Sequence, residues 1–169
     1  MTDSAHNSST DHTTRRFDSE QQRVFLNLWR TYDMLRALED ELFGKYDLTP
    51  QQFNVLRLLK AEYPNSVPTL ALASRLVTRA PDITRIIDKL EARGFVLRDR
   101  PSHNRRMVRI GITEAGLALV REVLPPLREC HIRQLGHLDS EQLKTLSQLL
   151  EIAREPHEPP DSPWRIQQH

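Results

Sequence analysis

Arg79-Ala80-Pro81-Asp82-Ile83-Thr84-Arg85-Ile86-Ile87-Asp88-Lys89-Leu90-Glu91-Ala92-Arg93-Gly94-Phe95-Val96-Leu97-Arg98 decides how this chain is read. Pro81 fits a helix only in its first turn, which sets a start near Arg79. Ile83, Ile86, Ile87 and Leu90 recur at helical spacing and predict a buried stripe. Pro81, Arg85 and Asp88 project the other way, with Asp82, Thr84 and Lys89 on the flanks. Gly94 stops the helix, and Phe95–Arg98 then reads as a short strand.

Working outward, Pro68-Thr69 opens a short helix upstream, with Leu70, Ala73 and Leu76 inward. Val77-Thr78 is a tight connection to the quoted stretch. Downstream, Met107–Ile110 reads as a second strand, joined to the first by a polar, arginine-rich tip at Pro101–Arg106. Helix, turn, helix and hairpin make a winged helix-turn-helix. A helix fits the major groove of B-DNA, and its first turns can reach base edges. A hairpin beside it can place arginine in the minor groove, where the potential is negative. Arg79, Pro81, Asp82, Thr84, Arg85 and Lys89 are the candidate residues of the reading helix. Asn104, Arg105 and Arg106 are those of the wing. Arg75, Arg98 and Arg109 suit the phosphates.

Charge supports a polyanionic partner. The 169-residue chain has a net charge of +1. Thr69–Thr113 holds ten Lys/Arg against four Asp/Glu, a local +6 that leaves −5 for the remainder. A basic block on an acidic body points to nucleic acid. Asp82 is unusual on such a face. It could accept from a cytosine amino group, or sit there for the helix dipole.

Further helices flank the block. Phe25, Leu28, Tyr32, Leu35, Leu38 and Leu42 form an amphipathic stripe that ends at Gly44. Thr49-Pro50-Gln51-Gln52 is a capping box with Pro at the first helical position, and Leu48 with Phe53 can staple it. That second helix runs to about Glu62. After the hairpin, Thr113 caps a helix carrying Leu117, Val120 and Leu124, which Pro125-Pro126 should kink or break. Asp139, with Gln142 three residues on, caps a last helix carrying Leu143, Leu146, Leu150 and Ala153. The first and last helices exceed what a winged helix needs for its own core, so they suit a second copy of the chain.

At this point the sequence resembles the MarR family. Pro81–Val96 is similar to the family's recognition-helix pattern, P-S-V-T-R-L-V-D-x-L-E-x-x-G-L-V. Asn104-Arg105-Arg106 followed by Ile112-Thr113-Glu114-Ala115-Gly116 is similar to its D-R-R…L-T-x-x-G. The resemblance covers about residues 20–154. It implies a ligand-responsive repressor that binds a pseudo-palindromic operator as a homodimer. It also implies an effector pocket, often for small aromatic or phenolic anions, and Phe25, Trp29, Tyr32 and Phe53 are candidates to line it. The family usually has Asp where this chain has Asn104. An amide holds a neighbouring arginine less firmly than a carboxylate does.

The expected fold is mainly α with a small β-hairpin wing. Residues 1–18 are expected as a disordered tail, 19–154 as a MarR-like domain and 155–169 as a Pro-rich tail. Within the domain, the winged helix spans about 48–113 and the dimerisation helices about 20–44 and 114–154. The five glycines contain no G-x-G, which argues against Gly-rich phosphate loops. No paired carboxylates, nucleophile elbow or metal triad supports an enzyme, and no cofactor or metal is expected. No apolar run approaches a membrane span and no secretory signal opens the chain, so a cytoplasmic protein is expected. The lone Cys130 reads as structural rather than redox-active. The alternative function is a winged-helix protein–protein module without DNA binding.

Overall fold

The computed structural model describes residues 17–77, 82–99, 107–160 and 162–165. Two compact units are distinguished, Met1–Ala37 and Leu38–His169. Helix α1, Glu20–Gly44, contributes to both.

Local signals fix most element boundaries. Thr49 Oγ1 accepts the backbone N–H of Gln52 at 3.2 Å, and the Gln52 side chain accepts that of Thr49 at 2.8 Å. This capping box, with Pro50 at the first position, starts α2 at Pro50–Glu62. The same device, Asp139 with Gln142, starts α6 at Ser140–Arg154. Helix α4, Ile83–Ala92, starts later than the expected Arg79, because Asp82 is its non-helical N-cap. Its end is a Schellman motif: Phe95 N–H donates to Leu90 C=O and Gly94 N–H to Glu91 C=O. Gly94 has φ +73°, which a side chain would strain.

The sheet has three strands where a two-stranded hairpin was expected. β1 (Val67–Pro68), β2 (Val96–Asp99) and β3 (Arg109–Ile112) are antiparallel in the order β1-β3-β2. Val67 faces Ile110, and Arg98 faces Ile110 from the other side. Two residues are too few to show a period, so β1 is silent in the sequence. Pro68 is tolerated because β1 is an edge strand. β3 begins two residues later than expected.

Two further expectations are corrected. Helix α3 (Thr69–Ser74) buries Leu72 and, just beyond its end, Leu76, while Leu70 is 84% exposed. Helix α5, Glu114–Leu135, continues through Pro125 and Pro126. Its stripe of Val120, Val123, Leu127 and Cys130 is buried on both sides of the prolines. That packing outweighs two missing donors whose carbonyl partners belong to the exposed Arg121 and Glu122.

The core of the second unit is built from α2, α4, α5 and the sheet. Val55, Leu56, Leu59, Leu90, Ile110, Val120 and Val123 have no exposed surface. The start of α5 is locked to the end of α4. Thr113 N–H donates to Phe95 C=O at 3.1 Å, and Thr113 Oγ1 donates to Gly94 C=O at 2.7 Å. Gly116 lies so close to Phe95 C=O and Ile112 Cγ1 that a Cβ there would collide with both. Helix α6 buries no residue, and Leu143, Leu146, Leu149, Leu150 and Ile152 remain exposed. Pro156 stops α6, and Glu155–His157 forms one turn of 3₁₀ helix beyond it. Among the described residues, no helix is long and apolar enough to cross a membrane.

Candidate nucleic-acid interface

Helix α4 meets the requirements of a reading helix. Ile87 and Leu90 anchor one face in the core, with Ile83 and Ile86 packed against it. Thr84, Arg85, Asp88 and Lys89 are exposed on the other. Arg85 and Lys89, one turn apart, have no side-chain partner among the described residues, so both cations are available to a ligand. Asp82 Oδ1 accepts the backbone N–H of Arg85 at 2.9 Å, so its carboxylate serves the helix start. Arg79, Pro81, Asn104, Arg105 and Arg106 lie outside the described residues.

The three arginines assigned to phosphates have protein partners instead. Arg75 bonds Glu62 at 2.7 Å and ties α3 to α2. Arg109 donates from Nε to Ser66 Oγ at 2.9 Å, and also to the Ser66 carbonyl. Arg98 bridges Asp88 and Glu91 of α4. Its hydrogen bond to Asp88 raises the guanidinium pKa, burial works against this, and the charges of Glu91 and Asp88 add to the rise. Arg93 likewise donates to the carbonyls of Tyr46 and Asp47 and lies 4.8 Å above the Phe95 ring. The common cause is geometric. Each of these arginines stands at a junction of two elements where carbonyls or carboxylates converge. Sequence reasoning missed the acceptors Glu62 and Ser66, which only the tertiary fold brings near.

A cavity of about 620 Å³ opens between the start of α3, α4 and the base of the hairpin. Thr69, Leu70, Thr84, Ile87, Arg98 and Val108 line it. Its walls come from segments up to about forty residues apart, so no local pattern signals it. The aromatic residues expected to form a pocket have different settings. Phe53 is 3% exposed in the core, its ring centroid 5.2 Å from that of Phe43. Phe25, Trp29 and Tyr32 are exposed on α1, with the first two rings 6.1 Å apart. Cys130 is buried, and that burial, with the charge of Glu39, raises its thiol pKa. Among the described residues, no three His, Cys, Asp or Glu side chains cluster as metal ligands.

Comparison with known proteins converges on one group. The model of the MarR family matches residues 48–108. The homoprotocatechuate degradative operon repressor of Escherichia coli is 32% identical over 107 residues, 63% of this chain and 71% of that protein. The crystal structure of a MarR transcription factor from Planctomyces limnophilus is 49% identical, with a TM-score of 0.65 over 81% of this chain and 99% of its own. A mutant MarR from Escherichia coli complexed with operator DNA shares the fold. Its TM-score is 0.71 at 21% identity, over 79% of this chain and 95% of its own.

Proposed function

The chain belongs to the MarR family of transcriptional regulators, and from that premise we propose that it is a homodimeric, ligand-responsive repressor of a pseudo-palindromic operator. The observation that carries this reading is α4. Its apolar face is fixed in the core while Arg85 and Lys89 stand free on the exposed one. Arg85 and Thr84 serve base edges, and Lys89 serves phosphate. Arg79, Pro81, Asn104, Arg105 and Arg106 complete the DNA-facing set on the sequence alone. A second copy of the chain covers the apolar residues left exposed on α6 and on α1. Two copies related by a two-fold axis then present two reading helices to half-sites about one helical turn apart.

The effector is a small aromatic or phenolic anion. The cavity beside α4 has the volume for it, apolar walls at Leu70, Ile87 and Val108, and a guanidinium at Arg98. A ligand there would lie against the reading helix itself. The exposed Phe25, Trp29 and Tyr32 then serve the dimer face rather than the effector.

Selection of bound sequences from a random DNA pool, followed by titration of Arg85→Ala, tests the central reading. The variant should lose about 1–3 kcal/mol on the selected operator and discriminate less at one base position. A pool from which no sequence is enriched would favour the protein–protein module instead.

A further inference from the structure

Arg98 stands on β2 and bonds two carboxylates of α4 at once. One terminal nitrogen donates to Glu91 and the other to Asp88. The Arg98 backbone N–H also donates to Glu91 Oε1, at 3.3 Å. The Arg98 side chain is 23% exposed, against 58% for Asp88 and 38% for Glu91. The guanidinium is therefore the inner partner of the triad, and the acids lie between it and solvent.

Removing Arg98 from this position would be costly. Asp88 and Glu91 are three residues apart on one helix, where like charges repel. Both stand on the element that, in the reading above, enters a field of phosphates. With Arg98 drawn away to a phosphate, two unpaired carboxylates would be left near that field. The forked geometry of guanidinium suits bridging, because its donors are fixed in one plane. The raised guanidinium pKa agrees with such tight pairing.

We infer that Arg98 is a positioning residue for DNA reading: it clamps the reading helix α4 to the first strand of the wing and does not itself contact phosphate. This rests on the DNA-binding reading and deepens it. β2 pairs with β3 along Val96–Asp99, so the hairpin and α4 move as one piece through this triad. The angle between them sets whether a side chain in the major groove and one in the minor groove engage together. The clamp should accordingly govern the preference for operator over other DNA rather than affinity for DNA in general.

The test is a set of equilibrium titrations on the full chain. The proteins are wild type, Arg98→Lys, Arg98→Gln, Asp88→Asn/Glu91→Gln and the triple variant. Each is measured against the selected operator and a scrambled duplex at several salt concentrations. The expected result is a fall in the operator-to-scrambled ratio, on the order of tenfold, in every variant, with the triple variant no worse than Arg98→Gln. The salt slope on scrambled DNA should not change for Arg98→Gln. Arg98→Lys keeps the charge, and so would keep a phosphate contact, but it loses the two-carboxylate bridge. Thermal unfolding checks that each variant is folded, and Arg98→Lys stands as the decisive variant if Arg98→Gln is not.

Two results would overturn the clamp. One is an unchanged ratio in Arg98→Lys together with a salt slope shallower by about 0.9 in Arg98→Gln, the mark of one lost phosphate contact. The other is an unchanged ratio in the acid-neutralised variant. A wild-type protein with equal affinity for both duplexes would instead overturn the DNA-binding reading, and the clamp with it.

Discussion

Asp82 closes the first turn of α4 through the backbone N–H of Arg85. Asp82→Ala should cost about 1 kcal/mol of stability by denaturant titration, while Asp82→Asn, an equally good cap, should cost little. Asp82→Asn also removes a negative charge from the DNA-facing end, so it should bind operator at least as tightly as wild type. Weaker binding would mean that the carboxylate reads a base. Cys130 offers a second check. Its raised pKa leaves less thiolate at neutral pH, and its burial blocks reagents. Reaction with a disulfide reagent should be slow in the folded protein and rapid after unfolding. Among single residues, the caps and the buried stripe of α4 were legible because their partners lie within four positions. The partners of Arg75, Arg98 and Arg109 were not, since a sequence shows a charge but not the acceptor that folding brings to it.

Elements whose definition is local were the readable ones. The starts of α2 and α6 follow from Thr49–Gln52 and Asp139–Gln142, and the end of α4 from Gly94. β1 escaped notice because its pairing partner lies about forty residues away at Ile110 and Arg109. Pro125-Pro126 misled in the opposite direction: a strong local signal lost to a buried stripe running through it. At the junction of α4 and α5 the constraint is backbone against backbone. Gly116→Ala would set a methyl against the Phe95 carbonyl, where no side chain can give way. A loss of roughly 1–3 kcal/mol is expected from the overpacking. Urea denaturation measures it, and a neutral result would show that the α4–α5 junction yields.

For the whole molecule, the candidate dimer faces and the basic block lie on different elements. Salt dependence should report the block. Four of its ten cations, Arg75, Arg93, Arg98 and Arg109, already have protein partners. The remaining six are Arg79, Arg85, Lys89, Arg100, Arg105 and Arg106. If half of these meet phosphate in each of two protomers, the slope of log affinity against log salt is about −5. Fluorescence titration of a labelled operator at four salt concentrations gives that slope. Values near zero would contradict the electrostatic reading, and values well beyond −5 would show that the paired arginines also engage. Sedimentation equilibrium on the same samples should show a dimer at micromolar concentration. That the chain reads DNA was visible from charge and element order. The cavity was not, because it is a property of how four segments meet.

The junction at Thr113 and Gly116 has a consequence for evolution as well as for stability. Helix α5 leaves the reading lobe with no slack at its root and runs 22 residues to Leu135. In a dimer joined toward its far end, α5 acts as a ruler: its length and pitch fix the gap between the two reading heads. Four extra residues in its second half would lengthen each arm by about 6 Å and turn it by slightly more than one revolution. Operators with wider centres could then be reached without altering a single DNA-facing side chain.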